Sequence, residues 1–322
     1  MKVLVTGAAG LIGSHMCDVL VDNGHEVIAF DDLSYGNMDN VNENVRFIKA
    51  DCSTDFTSLS NSCMCEVSCD CDITGIDFIY HFASIKKLWN DVDETNILDV
   101  NFKMTKRVVD LAVKNNAHLV FASTSDVYGN HDTFLESDPI TIGPSNIERY
   151  SYALSKLHSE QYILNLVNRN KLNATIIRVF GCASKRSAKT YLGMHTSLFT
   201  VQAINGEDIT IFDDGLQTRS ISHAEDVVNG FYAVIDNSDR VNGEIINLGT
   251  DQQTTVKYVA EYITERIQYS GKIKYMPMEE RFNGYPEIRV RFANLDKAKK
   301  LLNYKVTKTT EDVMDEIIEA WT

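Results

Sequence analysis

The chain begins MKVLVTGAAGLIGSH (residues 1–15), and the reading of this stretch decides the fold. Residues 2–5 (KVLV) read as a short apolar strand. Gly7, Gly10 and Gly13 follow at intervals of three, and SHMCDVLVDNG (14–24) has the spacing of an amphipathic helix. Strand, glycine turn and helix in this order form a phosphate cradle. Glycine lets the backbone turn tightly and approach a pyrophosphate, and the free N–H groups at the helix N-terminus face the negative charge. A second apolar strand, 26–30, runs into Asp31 about twenty residues beyond the glycines, where a carboxylate can hold adenosine ribose hydroxyls. The glycines alone are a weak signal; the five pieces in register point to a bound dinucleotide.

At 322 residues the chain holds one large domain or two closely joined ones. Hydrophobic residues make up 44%, and no stretch approaches the ~20 apolar residues that span a bilayer. The apolar N-terminus reads as a strand rather than a signal peptide, so a cytoplasmic protein with no membrane contact is expected. The net charge of −14 argues against a nucleic-acid binder. Of seven cysteines, Cys17, Cys52 and Cys182 read as buried hydrophobes. Cys63, Cys65, Cys69 and Cys71 cluster in SCMCEVSCDC. Paired C-x-C units can hold metal or form disulfides, but no histidine lies nearby. The expectation is a solvated helix or loop, with no metal.

Apolar runs recur at 45–49, 77–82, 118–123 and 174–180, with amphipathic stretches at about 12–23, 97–115 and 148–169. Strands alternating with helices predict an α/β fold of the Rossmann type, a doubly wound parallel sheet. Its ligands bind beyond the carboxyl ends of the strands. After residue 180 the rhythm changes: helices are expected near 194–205, 224–236, 254–269 and 294–302, and strands at 209–212 and 244–249. Residues 1–180 are thus read as the dinucleotide-binding domain and 181–322 mostly as a smaller substrate-binding lobe, with about 213–250 returning to the sheet.

The strand at 118–123 runs into Thr124-Ser125-Asp126, and some twenty residues later comes RYSYALSKLHSEQY. Tyr152 and Lys156, four apart on a helix, share one face. Tyrosine is a poor base at its ordinary pKa near ~10, and a neighbouring ammonium favours the phenolate. With Thr124 holding a substrate hydroxyl, the three would abstract a proton as hydride passes to a nicotinamide.

These pieces resemble the extended short-chain dehydrogenase/reductase family, the NAD-dependent nucleotide-sugar epimerases and dehydratases. The matching segments are TGAAGLIG (6–13), FDDLSYGN (30–37), AD (50–51), HFAS (81–84), Asn101, STSDVYG (123–129), YALSK (152–156) and GLQTRSISHAEDV (215–227). The resemblance implies NAD held by Gly7, Gly10, Leu11, Ile12, Gly13, Asp31, Asp32, Asn37, Asp51, Cys52, Phe82, Ala83, Ser84, Asn101, Ser123, Tyr152 and Lys156. Asp32, where an arginine would suit NADP, favours NAD on charge. The resemblance also implies catalysis by Thr124, Tyr152 and Lys156, with Arg219 on a substrate phosphate. A homodimer through the helices near 97–115 and 148–169 is expected. Their apolar positions Val108, Leu111, Ala112, Leu157, Tyr162 and Ile163 equally fit packing on the sheet.

The chain departs from its relatives where the substrate sits. Gly181 stands where the family usually has a diphosphate-binding asparagine. Tyr285 precedes Pro286-Glu287 where many relatives carry arginine, which leaves Arg281 or Arg289 for that task. Lys86, after HFAS, is basic for a stretch that often faces the sugar. Ser125 and Thr124 are further substrate contacts. Asp126 stands where dehydratases and decarboxylases carry a glutamate, one methylene longer, and simple 4-epimerases carry small neutral residues; capping of the local turn is its other reading. The expected substrate is a nucleotide diphosphate sugar oxidised at C4. A 4-epimerase leads, ahead of a 4,6-dehydratase, decarboxylase or net dehydrogenase. From another class, a regulatory protein could hold NAD without turnover, but an intact Thr124/Tyr152/Lys156 set argues against it.

Overall fold

The computed structural model describes residues 1–54, 73–86, 97–131, 133–190, 194–281 and 287–322, with the side chains of Arg149, Glu279 and Arg281 undescribed. The first half runs β1 (Lys2–Thr6), α1 (Leu11–Asp22), β2 (Glu26–Asp31), β3 (Arg46–Lys49), β4 (Phe78–His81), α2 (Ile97–Asn115), β5 (His118–Thr124), α3 (Ser151–Val167) and β6 (Asn173–Val179). There follow β7 (Cys182–Ala183), α4 (Met194–Ile204), β8 (Ile209–Phe212), β9 (Thr218–Arg219), β10 (Ser222–His223), α5 (Ala224–Tyr232), α6 (Val234–Val241) and β11 (Ile245–Leu248). The chain ends with β12 (Thr254–Thr255), α7 (Val256–Ile267), β13 (Ile273–Met276), α8 (Met278–Arg281), β14 (Val290–Arg291), α9 (Asp296–Leu302) and α10 (Thr310–Trp321).

Among the described residues seven strands form one sheet in the order β11-β6-β5-β4-β1-β2-β3, and each neighbouring pair is parallel. The order reverses between β1 and β4, and a crevice opens beyond the carboxyl ends of the strands at such a switch point. The two-residue period of the strands divides the core. Val3, Val5, Val27 and Ala29 face α1 and α5 on one side. Leu4, Ile28, Ile79 and Leu119 face α2 and α3 on the other. Each such valine, leucine or isoleucine, fully withdrawn from water, contributes about 2 kcal/mol.

The second lobe has its own core, in which α4, α7 and α10 pack around Ile209 and Ile211 of β8. Several elements here lie beyond the expectations from sequence, the short strands β7, β9, β10, β12 and β14 and helix α8, and with them β13 and α10. Strand β13 is short and half-exposed. Helix α10 carries a readable signal, a capping box between Thr309 and Asp312 ahead of Val313, Met314, Ile317 and Ile318. The helix expected over 224–236 divides at Ala233 into α5 and α6.

On α2 and α3, Val108, Leu111, Ala112 and Ile163 are buried within the chain against the sheet, with Tyr162 partly so. The two helices also meet through polar pairs: Asn101 Nδ2 donates to Ser155 Oγ at 3.0 Å, and Thr105 and Ser159 share a 3.0 Å hydrogen bond. Among the described residues no helix is long and apolar enough to cross a membrane. The cluster Cys63 to Cys71 lies outside the described residues.

Candidate active site

A cavity of about 440 Å³ opens at the carboxyl ends of β1, β4, β5 and β6 and extends to β9 and β14 of the second lobe. The glycine turn forms one end. A methyl on Gly13 would overlap the Gly7 carbonyl oxygen and fall 2.7 Å from its carbon, so α1 starts against the turn itself. Gly7 has φ +69°, and a methyl there would lie 2.7 Å from the Ala83 nitrogen. Glycine at these two positions therefore lets the turn, the start of α1 and the segment after β4 pack backbone against backbone. Gly7, Gly10, Leu11, Ile12, Gly13, Phe82 and Ser84 line this end, while Ala83 packs directly behind Gly7.

Asp31, buried at the end of β2, accepts hydrogen bonds from the Ala9 and Leu33 N–H groups at 3.0 and 2.8 Å. Burial raises its pKa above the ordinary 3.8. Asp32 is exposed and accepts from Ser34 N–H and Oγ–H, and Asn37 caps the turn Met38–Asn40. Asp51 accepts from Ser53, and Cys52 is buried in the core. These five stand beside the turn at the ends of β2 and β3, not among the residues lining the cavity. The glycine cradle and the two acids at the end of β2, Asp31 and Asp32, fit a dinucleotide with a free ribose. Asn101 is engaged within the chain. Its amide bonds Ile85 N–H at 2.7 Å, Ile85 C=O at 3.0 Å and Ser155, so it ties α2 to the segment after β4 rather than facing the cavity.

The middle of the cavity gathers Ser123, Thr124, Ser125, Asp126, Tyr152, Lys156 and Lys86. Thr124 Oγ1 accepts from Asp126 N–H at 3.2 Å and so caps the turn Ser125–Tyr128. Thr124 thus performs the capping that sequence reading allowed for Asp126. The Asp126 carboxylate instead pairs with Arg291 of β14. Lys156, 2% exposed, donates from Nζ to Ala122 C=O at 2.9 Å and lies 5.9 Å from the Tyr152 ring centre. Burial pushes its ammonium from the ordinary 10.5 down to about 7, opposed by Glu160. Burial raises the Tyr152 phenol, helped by Asp126 and opposed by a hydrogen bond with Ser84. Lys86 Nζ stands 5.7 Å from the same ring.

The far end holds Gly181, Met194, His195, Arg219 and Ser220. Arg219 donates to Glu287 at 2.5 Å and to Ile288 C=O at 2.7 Å. Of the two arginines offered near the C-terminus, Arg289 is half-exposed, bonded twice to Asp214 at 2.8 and 2.9 Å, and does not line the cavity. The Arg281 side chain lies outside the description. Arg291, two residues further on, does enter the cavity. Sequence reading misses it because its partner lies 165 positions away.

The sheet order, the glycine cradle and the Tyr152/Lys156 pair at a strand end define a dinucleotide-dependent enzyme of the Rossmann type. Residues 3–249 match the model of the NAD dependent epimerase/dehydratase family, and the chain belongs to that family. Among its relatives, a UDP-N-acetyl-alpha-D-glucosaminuronate decarboxylase of Bacillus cytotoxicus is 29% identical, over 99% of this chain and 97% of the relative. An uncharacterized UDP-glucose epimerase of Bacillus subtilis is 28% identical, over 97% and 95%. A crystal structure of UDP-glucuronic acid 4-epimerase from Bacillus cereus with UDP-glucuronic acid and NAD superposes with a TM-score of 0.82. It is 25% identical and the match covers 99% of this chain and 98% of that one.

Proposed function

We propose that this protein is an NAD-dependent enzyme that oxidises C4 of a UDP-linked hexuronate, and that decarboxylation is its outcome. Bound NAD supplies the hydride acceptor. The residues at the glycine turn and at the ends of β2 and β3 hold it. Tyr152 takes the C4 hydroxyl proton, Lys156 favours the phenolate, and Thr124 and Ser125 hold the sugar. Residues 1–180 with β11 form the cofactor domain, and the remainder supplies Arg219, Gly181 and Ser220 for the diphosphate. A cytoplasmic homodimer through α2 and α3 belongs to this reading; Leu98 and Val113 on α2 stay exposed.

The observation that carries the acidic substrate is the Asp126–Arg291 pair in the cavity wall beside Tyr152, with Lys86 over the ring. Oxidation at C4 places a ketone β to the C6 carboxylate. The C5–C6 bond then breaks with its electrons flowing into the ketone, CO₂ leaves, and the resulting enolate takes a proton at C5. Arg291 is placed to hold the carboxylate and Asp126 to give the proton. Return of the hydride to C4 completes a UDP-pentose. The relatives that act on UDP-glucuronic and UDP-N-acetylglucosaminuronic acid support this choice.

Asp126 favours a second reading as well. Held back by Arg291 and one methylene short of glutamate, it suits an enzyme that spares the keto acid and returns hydride to the other face, a 4-epimerase. Proton NMR in deuterated water with UDP-glucuronic acid, its N-acetylglucosamine counterpart and UDP-glucose separates these. Pentose bearing deuterium at C5 identifies the decarboxylase, and C4 inversion without exchange identifies the epimerase. Neutral UDP-glucose turned over as fast as the acids refutes the hexuronate. Arg291→Leu is expected to lower turnover of the acid by about 10- to 100-fold, the scale of losing a charge-assisted contact.

A further inference from the structure

Directly beneath the reacting groups lies a buried charge pair that the mechanism above leaves unused. Glu160 sits one helical turn beyond Lys156 on α3, and both side chains are 2% exposed. Arg178 of β6 grips the Glu160 carboxylate with two hydrogen bonds, Nε to Oε1 at 3.0 Å and Nη2 to Oε2 at 2.7 Å. Ser123 Oγ–H donates to the same Oε1 at 2.5 Å. The Arg178 guanidinium lies 4.7 Å over the Tyr128 ring, and Tyr128 O–H donates to Asn247 Oδ1 at 2.8 Å on β11. One carboxylate thus joins the helix of Tyr152 and Lys156 to the end of β5, which carries Thr124. A buried ion pair is a poor device for stability alone, since desolvation offsets much of the attraction. Its position suggests another purpose.

We propose that Glu160, clamped by Arg178, is a positioning residue that keeps Lys156 charged beside Tyr152 and fixes the β5 end against α3. The inference rests on the catalytic reading of Lys156 and Tyr152. Among the described residues the groups facing Lys156 are few. On α3 they are Tyr152 and Glu160. From β4 comes His81, whose imidazole burial holds neutral, with a pKa of about 3. Beyond these, Asp126 of the turn after β5 acts on Tyr152 and is countered by Arg291 from β14, and Arg178 of β6 is held on Glu160. Lys86, after β4, adds positive charge near the ring. Glu160 is the charge that opposes burial at Lys156, and Arg178 prevents its carboxylate from turning away.

This assignment has a pH signature. The active arrangement is phenolate with ammonium; its competitor at the same proton count is phenol with neutral amine. Removing the Glu160 charge makes Lys156 give up its proton at lower pH, which favours the competitor. On the acid side, where both groups are protonated at rest, the rate depends on Tyr152 alone and changes little. The rising limb of kcat against pH therefore bends over about one unit lower, and its plateau falls about tenfold.

The test measures kcat from about pH 5 to 9 for wild type, Glu160→Gln, Glu160→Asp and the double variant Glu160→Gln/Arg178→Met, each with its substrate and NAD. The glutamine variant is expected to match wild type at acid pH and to lose activity progressively above it. Aspartate restores the limb in part. The double variant, which removes both buried charges and so avoids leaving Arg178 alone, still shows the displaced limb. Equal loss at every pH with an unmoved limb, or wild-type behaviour of the double variant, overturns the proposal and leaves Glu160 a structural residue. Tyr152→Phe separates this from the underlying reading. If Tyr152→Phe keeps its turnover, the catalytic assignment itself fails; if it abolishes turnover and the Glu160 profiles are unmoved, only the positioning role fails.

Discussion

Replacing Gly13 by alanine tests the cradle with one methyl group. The new Cβ would lie 2.7 Å from the Gly7 carbonyl carbon and 3.0 Å from Ala8 Cα, and would overlap the Gly7 oxygen. Ordinary contact begins at 3.4 Å, so the turn and the start of α1 must part by about 0.7 Å at the carbon and by more at the oxygen. Both partners are backbone, so no side chain can swing away. Overpacking of this kind costs about 1–3 kcal/mol. The N–H groups that face the pyrophosphate move with the backbone, and a displacement near 1 Å in such a constellation costs about 100-fold. Gly24→Ala is the control. Gly24 has φ +75° and nothing within 4 Å of an added methyl, so alanine there meets only left-handed strain of about 1–2 kcal/mol, away from the cradle. Both variants are expected to unfold a few degrees below wild type by circular dichroism. Only Gly13→Ala should lose cofactor, measured as NAD(H) extracted from the purified protein and as Kd by calorimetry after stripping. If Gly13→Ala binds NAD within about threefold of wild type, the argument that this glycine shapes the cradle is wrong.

Two further expectations concern the reacting groups and the core. Tyr152→Phe should lower turnover by about 100-fold or more, because it removes the proton acceptor; single-turnover reduction of NAD, followed by absorbance, checks it. Buried His81, His118 and His195 have pKa values lowered to about 3, 4 and 3 from 6.5, so the folded state resists their protonation. A base with a depressed folded pKa lends stability that is present above pH 6.5 and drains as pH falls toward the folded values. Stability should therefore drop between about pH 6.5 and 4, and His118→Gln should remove up to about 1.4 kcal/mol per pH unit of that slope in denaturant titrations.

The parts legible in the sequence are those in which neighbours in the chain are neighbours in space. β1, the glycine turn, α1 and β2 are contiguous, and their apolar periods and glycine spacing carry the whole motif. Tyr152 and Lys156 share a helix face by arithmetic alone. Arg291 is another matter: it meets Asp126 only because β14 returns beside β9, and nothing local distinguishes it from Arg289, which a bidentate pair with Asp214 turns outward. Glu160 reads as one more acid on an amphipathic helix. Its meaning depends on Arg178, which the parallel pairing of β5 and β6 brings beneath it. Asn101 shows the opposite case. A polar residue at a motif position invites a ligand, but both ends of its amide are already committed to the chain.

The two cavity arginines share an arrangement that bears on the proposed chemistry. Arg219 is held by Glu287 and Arg291 by Asp126, so neither cation waits bare for an anion. Exchanging one carboxylate for another at a guanidinium changes affinity little but rejects ligands that bring none. A neutral sugar at C6 would leave the Asp126–Arg291 pair closed, whereas a hexuronate carboxylate competes for Arg291 and displaces Asp126. A carboxylate parted from its guanidinium takes up a proton from water more readily, and that is the form needed to protonate C5. Departure of CO₂ then leaves Arg291 without its anion, and re-forming the pair draws the proton off Asp126 toward the enolate. On this reading the carboxylate that is lost also arms the acid that completes the reaction. Asp126→Asn, which cannot deliver that proton, should then still oxidise C4 and accumulate the keto acid or its enolate-derived products rather than pentose.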